Sequence, residues 1–175
     1  MNVESHVLLD DVVRQVQEAL RKGDQPALVV LEGDSDITLS SSAYLRDPFK
    51  AQEFERRVAS EADTVGLDRL VLAVPMISTP VPLTDSDDAI RVRSPYAGPL
   101  RDDDDERHVI VWMAYDTEDG VEYGMVPYTR ARDGTPAFGD PDRFVSIPLN
   151  PGPGLPGVVL LGELLDENLQ RRKPR

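Results

Sequence analysis

Cysteine is absent from the 175 residues, lysine occurs only at 22, 50 and 173, and histidine only at 6 and 108. Without a thiol the chain has no disulfide, no thiolate zinc site, no iron–sulfur cluster and no cysteine nucleophile. With 19 basic against 32 acidic residues and a net charge of -13, it lacks the clustered cations that a phosphate backbone demands, so nucleic acid is not expected as a partner. The longest apolar run, Leu70 to Ile77, is far short of the roughly 20 residues a membrane-spanning helix needs, and no membrane association is expected. The start, with Glu4, Asp10 and Asp11, lacks the basic and apolar blocks of a secretory signal, which predicts a cytoplasmic protein. No strand pattern leads through a glycine-rich turn into a helix, which removes the usual phosphate cradle. Ser40, Ser41 and Ser42 are not flanked by the glycines of a nucleophile elbow.

What remains is a chain 40% apolar, whose short, spaced apolar clusters predict a single folded domain over 1–175. Positions 8, 9, 12, 13, 16, 19 and 20 are apolar at helical spacing, and Gly23 stops that helix. Ala27 to Glu32 and Ile37 to Ser40 read as two strands around the turn at 33–36. Asp47 and Pro48 mark the start of a second helix, with Phe49, Phe54, Val58, Ala62 and Val65 as its stripe. Leu67 to Ile77 reads as a central strand that the prolines at 75, 80 and 82 terminate. Acidic flexible loops are expected at 84–88 and 98–107, with a short strand between them at 89–94. His108 to Asp116, a two-residue turn at Asp119 and Gly120, Val121 to Arg130, a second turn at Asp133 and Gly134, and a final strand near Phe144 to Ile147 form a β-meander. A Pro/Gly connector over 148–157 leads to a closing helix whose face is Leu161, Leu164 and Leu165.

The fold class expected from this order is α+β: a mainly antiparallel sheet (helix, two strands, helix, strand, β-meander, helix) covered by helices. In the order of its elements alone the arrangement resembles scaffold domains of the roadblock or profilin-like kind, which implies a fold and carries no activity with it.

Two groups of residues offer themselves as sites. Trp112, Tyr123, Tyr128, Arg130 and Arg132 lie along the meander, and aromatic side chains beside arginines make recognition surfaces. Trp112 is also placed by alternation beside Ile110 and Ala114 as core, whereas Tyr123, Tyr128 and Arg130 are expected at the surface. The alternative is a divalent cation, Mg or Ca, held by Asp85, Asp87, Asp102, Asp104, Glu106 and His108, because hard cations take several carboxylate oxygens and could activate water for hydrolysis. Against it, the run Asp102 to Glu106 lacks the spacing and glycine of a calcium loop. His6 is expected in a frayed terminus and His108 at the cap of a strand. The resulting expectation is a non-enzymatic protein-interaction or regulatory module with no cofactor, acting through a protein partner or as a homo-oligomer. A metal-binding protein or metal-dependent hydrolase is the alternative.

Overall fold

A computed structural model describes residues 1–79, 91–143 and 154–171. Its elements run α1 (Val3–Arg21), β1 (Ala27–Glu32), β2 (Ile37–Ser41), α2 (Pro48–Val65), β3 (Arg69–Thr79), β4 (Arg91–Arg93), 3-10 turns at Pro95–Ala97 and Asp102–Asp104, β5 (Arg107–Asp116), β6 (Gly120–Arg130), β7 (Pro136–Phe138), β8 (Asp142–Arg143) and α3 (Val158–Arg171). The fold is α+β. The strands form one antiparallel sheet in the order β2-β1-β3-β5-β6-β7, with β4 added to β3 and β8 to β6. The expected strand at Phe144 to Ile147, the prolines at 80 and 82, the loop at 84–88 and most of the connector at 148–157 lie outside the described residues.

Helix α1 begins earlier than the apolar spacing indicates because Asn2 caps it, its side chain accepting from the Ser5 N–H at 2.9 Å. His6 is therefore helical and not frayed, its Nδ1 lying 2.7 Å from the Asn2 carbonyl oxygen. The stripe Leu8, Leu9, Val12, Val13, Val16 and Leu20 packs on Leu28, Val71, Ala73, Ile110, Trp112 and Val126, which line one face of the sheet. On the opposite face α2 contributes Phe54, Val58, Ala62 and Val65, and α3 contributes Leu160 and Leu164, over Val29, Leu31, Leu70, Leu72, Val111 and Met113. Cover on both sides explains why Leu70 to Ile77 is buried without a break: neither side of the strand meets water, so alternation has no polar phase to show.

Several expected details change. Asp47 caps α2 as anticipated, accepting from the Phe49 N–H at 2.9 Å, but Phe49 is 79% exposed and not part of the stripe. In α3 the buried positions are Leu160 and Leu164, while Leu165 is 49% exposed, because the helix meets its neighbours about one position earlier than the leucine pattern implies. Pro75 does not stop β3, which continues to Thr79 and pairs Pro75 with Ile110 of β5. The β5–β6 hairpin pairs Asp116 with Gly120 across three intervening residues rather than two.

A candidate ligand groove beside a break in the sheet

Pro75 leads to the site. On one side β3 pairs with β5 from Arg69 to Ser78. On the other, β1 ends its pairing at Leu28–Ala73, and β4 begins at Ile77–Arg93. Val74, Pro75 and Met76 thus have no partner strand on that side among the described residues. Proline is tolerated there because it has no N–H to leave unpaired. The segment between β2 and α2 enters next to the break, where Tyr44 and Leu45 are buried. The Leu45 carbonyl oxygen accepts from the Ser94 hydroxyl, which joins this segment to the chain after β4.

Below Tyr44 lies Glu55 of α2, 4% exposed. Its carboxylate accepts from the Tyr44 hydroxyl and from two backbone donors at the start of α3, the Gly157 N–H at 2.9 Å and the Leu160 N–H at 3.0 Å. The first N–H groups of a helix have no partner within it, and negative charge is favoured at that end. Glu55 therefore acts as a cap for α3 supplied by a different helix. Burial, then the Glu55 charge and hydrogen bond, push the Tyr44 hydroxyl well above the usual phenol range, so it stays protonated and donates. Tyr123, 1% exposed, is pushed up by burial and by the same charge, and its hydroxyl is buried without a hydrogen-bond partner.

Between α2, β4 and the start of α3 is a groove of about 580 Å³, walled by Leu45, Ala51, Met76, Val92, Leu155 and Val158. Its size and apolar lining are those of a binding cavity. At its mouth the Arg46 guanidinium sits 4.9 Å above the ring of Tyr96, which is 49% exposed. One wall is stapled by Arg93: it donates to Glu106 at 2.6 and 2.8 Å and to the Gly98 and Pro99 carbonyl oxygens at 3.0 and 2.7 Å. The Arg101 N–H also donates to Glu106, at 2.8 Å. The Arg93 hydrogen bond, opposed by desolvation and helped by the Arg101 N–H, holds the Glu106 carboxyl at about 2.

The sequence-derived residues are distributed differently. Trp112 is buried under α1 with Ile110 and Ala114, as alternation indicates. Tyr123 and Tyr128, expected at the surface, are 1% and 3% exposed and lie on opposite faces of the sheet. Alternation cannot distinguish a surface face where helices cover both. Tyr128 stacks on His108 at 5.2 Å, and the Phe138 ring lies tilted against it at 5.5 Å. Arg130 lies 5.6 Å above the Tyr128 ring and donates to the Gly134 carbonyl oxygen at 3.1 Å, while Arg132 is exposed. The five residues do not form one surface.

Nor do the described members of the cation alternative meet. Asp102 and Asp104 are exposed on a 3-10 turn, Glu106 is taken up by Arg93, and His108 is half-buried against Tyr128. Burial, then the charges of Arg130 and Arg93, lower the His108 pKa, which disfavours a positive imidazole there. Among the described residues no three His, Asp or Glu side chains are grouped to hold a metal ion. Asp85 and Asp87 lie outside the described residues.

Arg46, Tyr44, Glu55 and Tyr96 were not singled out from sequence. Only Glu55 left a trace: with Ala59 and Ala62 it falls at i, i+4 and i+7, which puts a carboxylate on the apolar face of α2. The groove depends on a strand break and on three segments distant in sequence, which leave no local signature. No protein-family model, curated protein or solved structure matches this chain.

Proposed function

We propose that this chain is a non-enzymatic interaction module that receives apolar side chains of a protein partner in the groove between α2, β4 and α3. The supporting observation is a cavity of about 580 Å³ with apolar walls, beside which Glu55, Ser94 and Arg93 are already bonded within the fold. Glu55 is occupied by Tyr44 and α3, Ser94 by Leu45, and Arg93 by Glu106. None is left as a base or nucleophile facing the cavity, so the arrangement serves binding rather than proton transfer.

A photo-crosslinking residue at Gln52, on the groove wall, and another at Asp11, on the exposed face of α1, test the reading. A discrete adduct is expected from position 52 alone, and Ala51→Trp, which fills the cavity, should remove it. Equal adducts from both positions, or an adduct indifferent to Ala51→Trp in a folded protein, would reject the groove.

A further inference from the structure

A second cavity, about 590 Å³, shares Arg46 and Tyr96 with the groove. Its character is opposite: Gln15, Asp24, Gln25, Ser40 and Ser42 contribute to its lining. Between the two cavities Arg46 has an unusual position for this protein. In a chain with 32 acidic residues, its guanidinium meets no carboxylate among the described residues and rests on the Tyr96 ring. Such a guanidinium keeps its donors for a planar anion.

Three chemically distinct features therefore meet at one place: an apolar cavity, a guanidinium with no carboxylate partner among the described residues, and a polar cavity lined by hydroxyl and carboxylate acceptors. We propose that the partner segment is a free C-terminus ending in an apolar residue. From the last Cα the side chain enters the apolar groove, the α-carboxylate pairs with Arg46, and the preceding backbone runs into the polar cavity, where its N–H groups can meet the exposed acceptors of Asp24, Ser40 and Ser42. A hydrocarbon acid would fill the groove and reach Arg46, but it has no N–H donors to give to the polar cavity. An internal segment would bring no carboxylate attached beside its apolar group unless an acidic residue followed. The proposal rests on the groove reading above and adds to it the chemistry of the occupant.

The test uses the full chain and an array of pentapeptides in which the last residue is varied over all amino-acid types, each made as the free acid and as the C-terminal amide. Octanoate is titrated in parallel. Free acids ending in Leu, Ile, Val, Met or Phe are expected to bind at least about tenfold more tightly than their amides, the range of a charge-assisted bidentate hydrogen bond. Arg46→Ala should abolish that acid-over-amide preference, and Arg46→Lys should retain part of it. Ala51→Trp should weaken acids and amides alike, with Ala97→Trp at the exposed rim as a second blocking variant should the first not fold. Equal binding of acids and amides, with both blocked by Ala51→Trp, overturns the terminal-carboxylate proposal and leaves the groove reading standing. Binding of octanoate through Arg46 with no peptide bound overturns the peptide as occupant. Binding indifferent to both blocking variants overturns the groove as well.

Discussion

A carboxylate 4% exposed, as Glu55 is, is stable in a protein interior only when its lone pairs are met, and here a phenol and two helix N–H groups meet them. Removing it strands two backbone donors and one hydroxyl at once. Glu55→Ala is expected to lower unfolding stability by about 2–4 kcal/mol, against about 1 kcal/mol for Tyr44→Phe, which removes one donor and leaves the helix cap. Urea unfolding measures both, and hydrogen exchange should show the loss concentrated at the start of α3. A Glu55→Ala protein with wild-type stability would remove Glu55 from its capping role. A second residue-scale prediction concerns pH. Asp116 accepts from the Glu118 N–H at 2.9 Å, Ser5 Oγ at 2.8 Å and Asn2 Nδ2 at 2.9 Å, and lies 3.5 Å from Arg69 Nε. Burial opposes its ionisation, but the hydrogen bonds outweigh this and bring it from 3.8 to about 2, while Glu106 falls from 4.5 to about 2. A carboxylate whose folded pKa lies below its unfolded value contributes stability above the unfolded value and loses it as pH falls towards the folded one. Stability should therefore drop between about pH 4.5 and pH 2, and Asp116→Asn combined with Glu106→Gln should flatten that slope in urea titrations. An unchanged slope would show that these two groups do not carry the acid sensitivity.

Among the elements, α3 is the one most dependent on others. Its approach is set by Gly157, which has a φ of +85° and no room for a side chain: a Cβ there would fall 2.5 Å from Met113 Sδ on β5 and 3.5 Å from Leu72 Cδ2. The left-handed backbone disfavours an L side chain, and a Cβ would in addition force the end of the buried Met113 side chain to shift. Gly157→Ala should cost about 1–3 kcal/mol and displace the helix from Glu55. Proteolysis within α3 should accelerate in this variant, and resistance equal to wild type would contradict the tight contact. Gly33 is restricted for another reason, since a Cβ would meet the Val65 and Gly66 carbonyl oxygens at 2.5 and 2.6 Å. That contact locks the end of α2 against the β1–β2 turn, where the Asp34 N–H donates to the Val65 carbonyl oxygen at 2.7 Å.

For the molecule as a whole, charge and burial act in different places. The net charge of -13 opposes folding through self-repulsion, while the sheet is enclosed by α1 on one side and α2 with α3 on the other. Raising salt from about 10 mM to about 150 mM shortens the screening length from about 30 Å to about 8 Å. The melting temperature should rise over that interval, because the repulsion among exposed carboxylates such as Asp102 to Asp105 is screened more than the enclosed Arg93–Glu106 pair. A melting temperature that falls with salt would mean that attractive surface pairs outweigh the repulsion.

The amino-acid pattern by itself determined the three helices and most of the longer strands, though not β7, β8 or the early start of α1, from the spacing 8, 9, 12, 13 and 16 in α1, the Asp47–Pro48 cap of α2 and the turn residues Asp133 and Gly134. These are local preferences, legible wherever neighbours in sequence are neighbours in space. It also contained the reason that Leu70 to Ile77 is buried on both sides. Tertiary structure alone decided that Tyr123 and Tyr128 are interior, because exposure depends on which helices cover which face. It alone made the groove, where, among the described residues, β1 and β4 leave Val74 to Met76 without a partner on one side and residues 44–46, 92–97 and 154–158 converge. Arg46 is a loop arginine in the sequence and, in the fold, a guanidinium between two cavities that rests on Tyr96 and meets no carboxylate among the described residues.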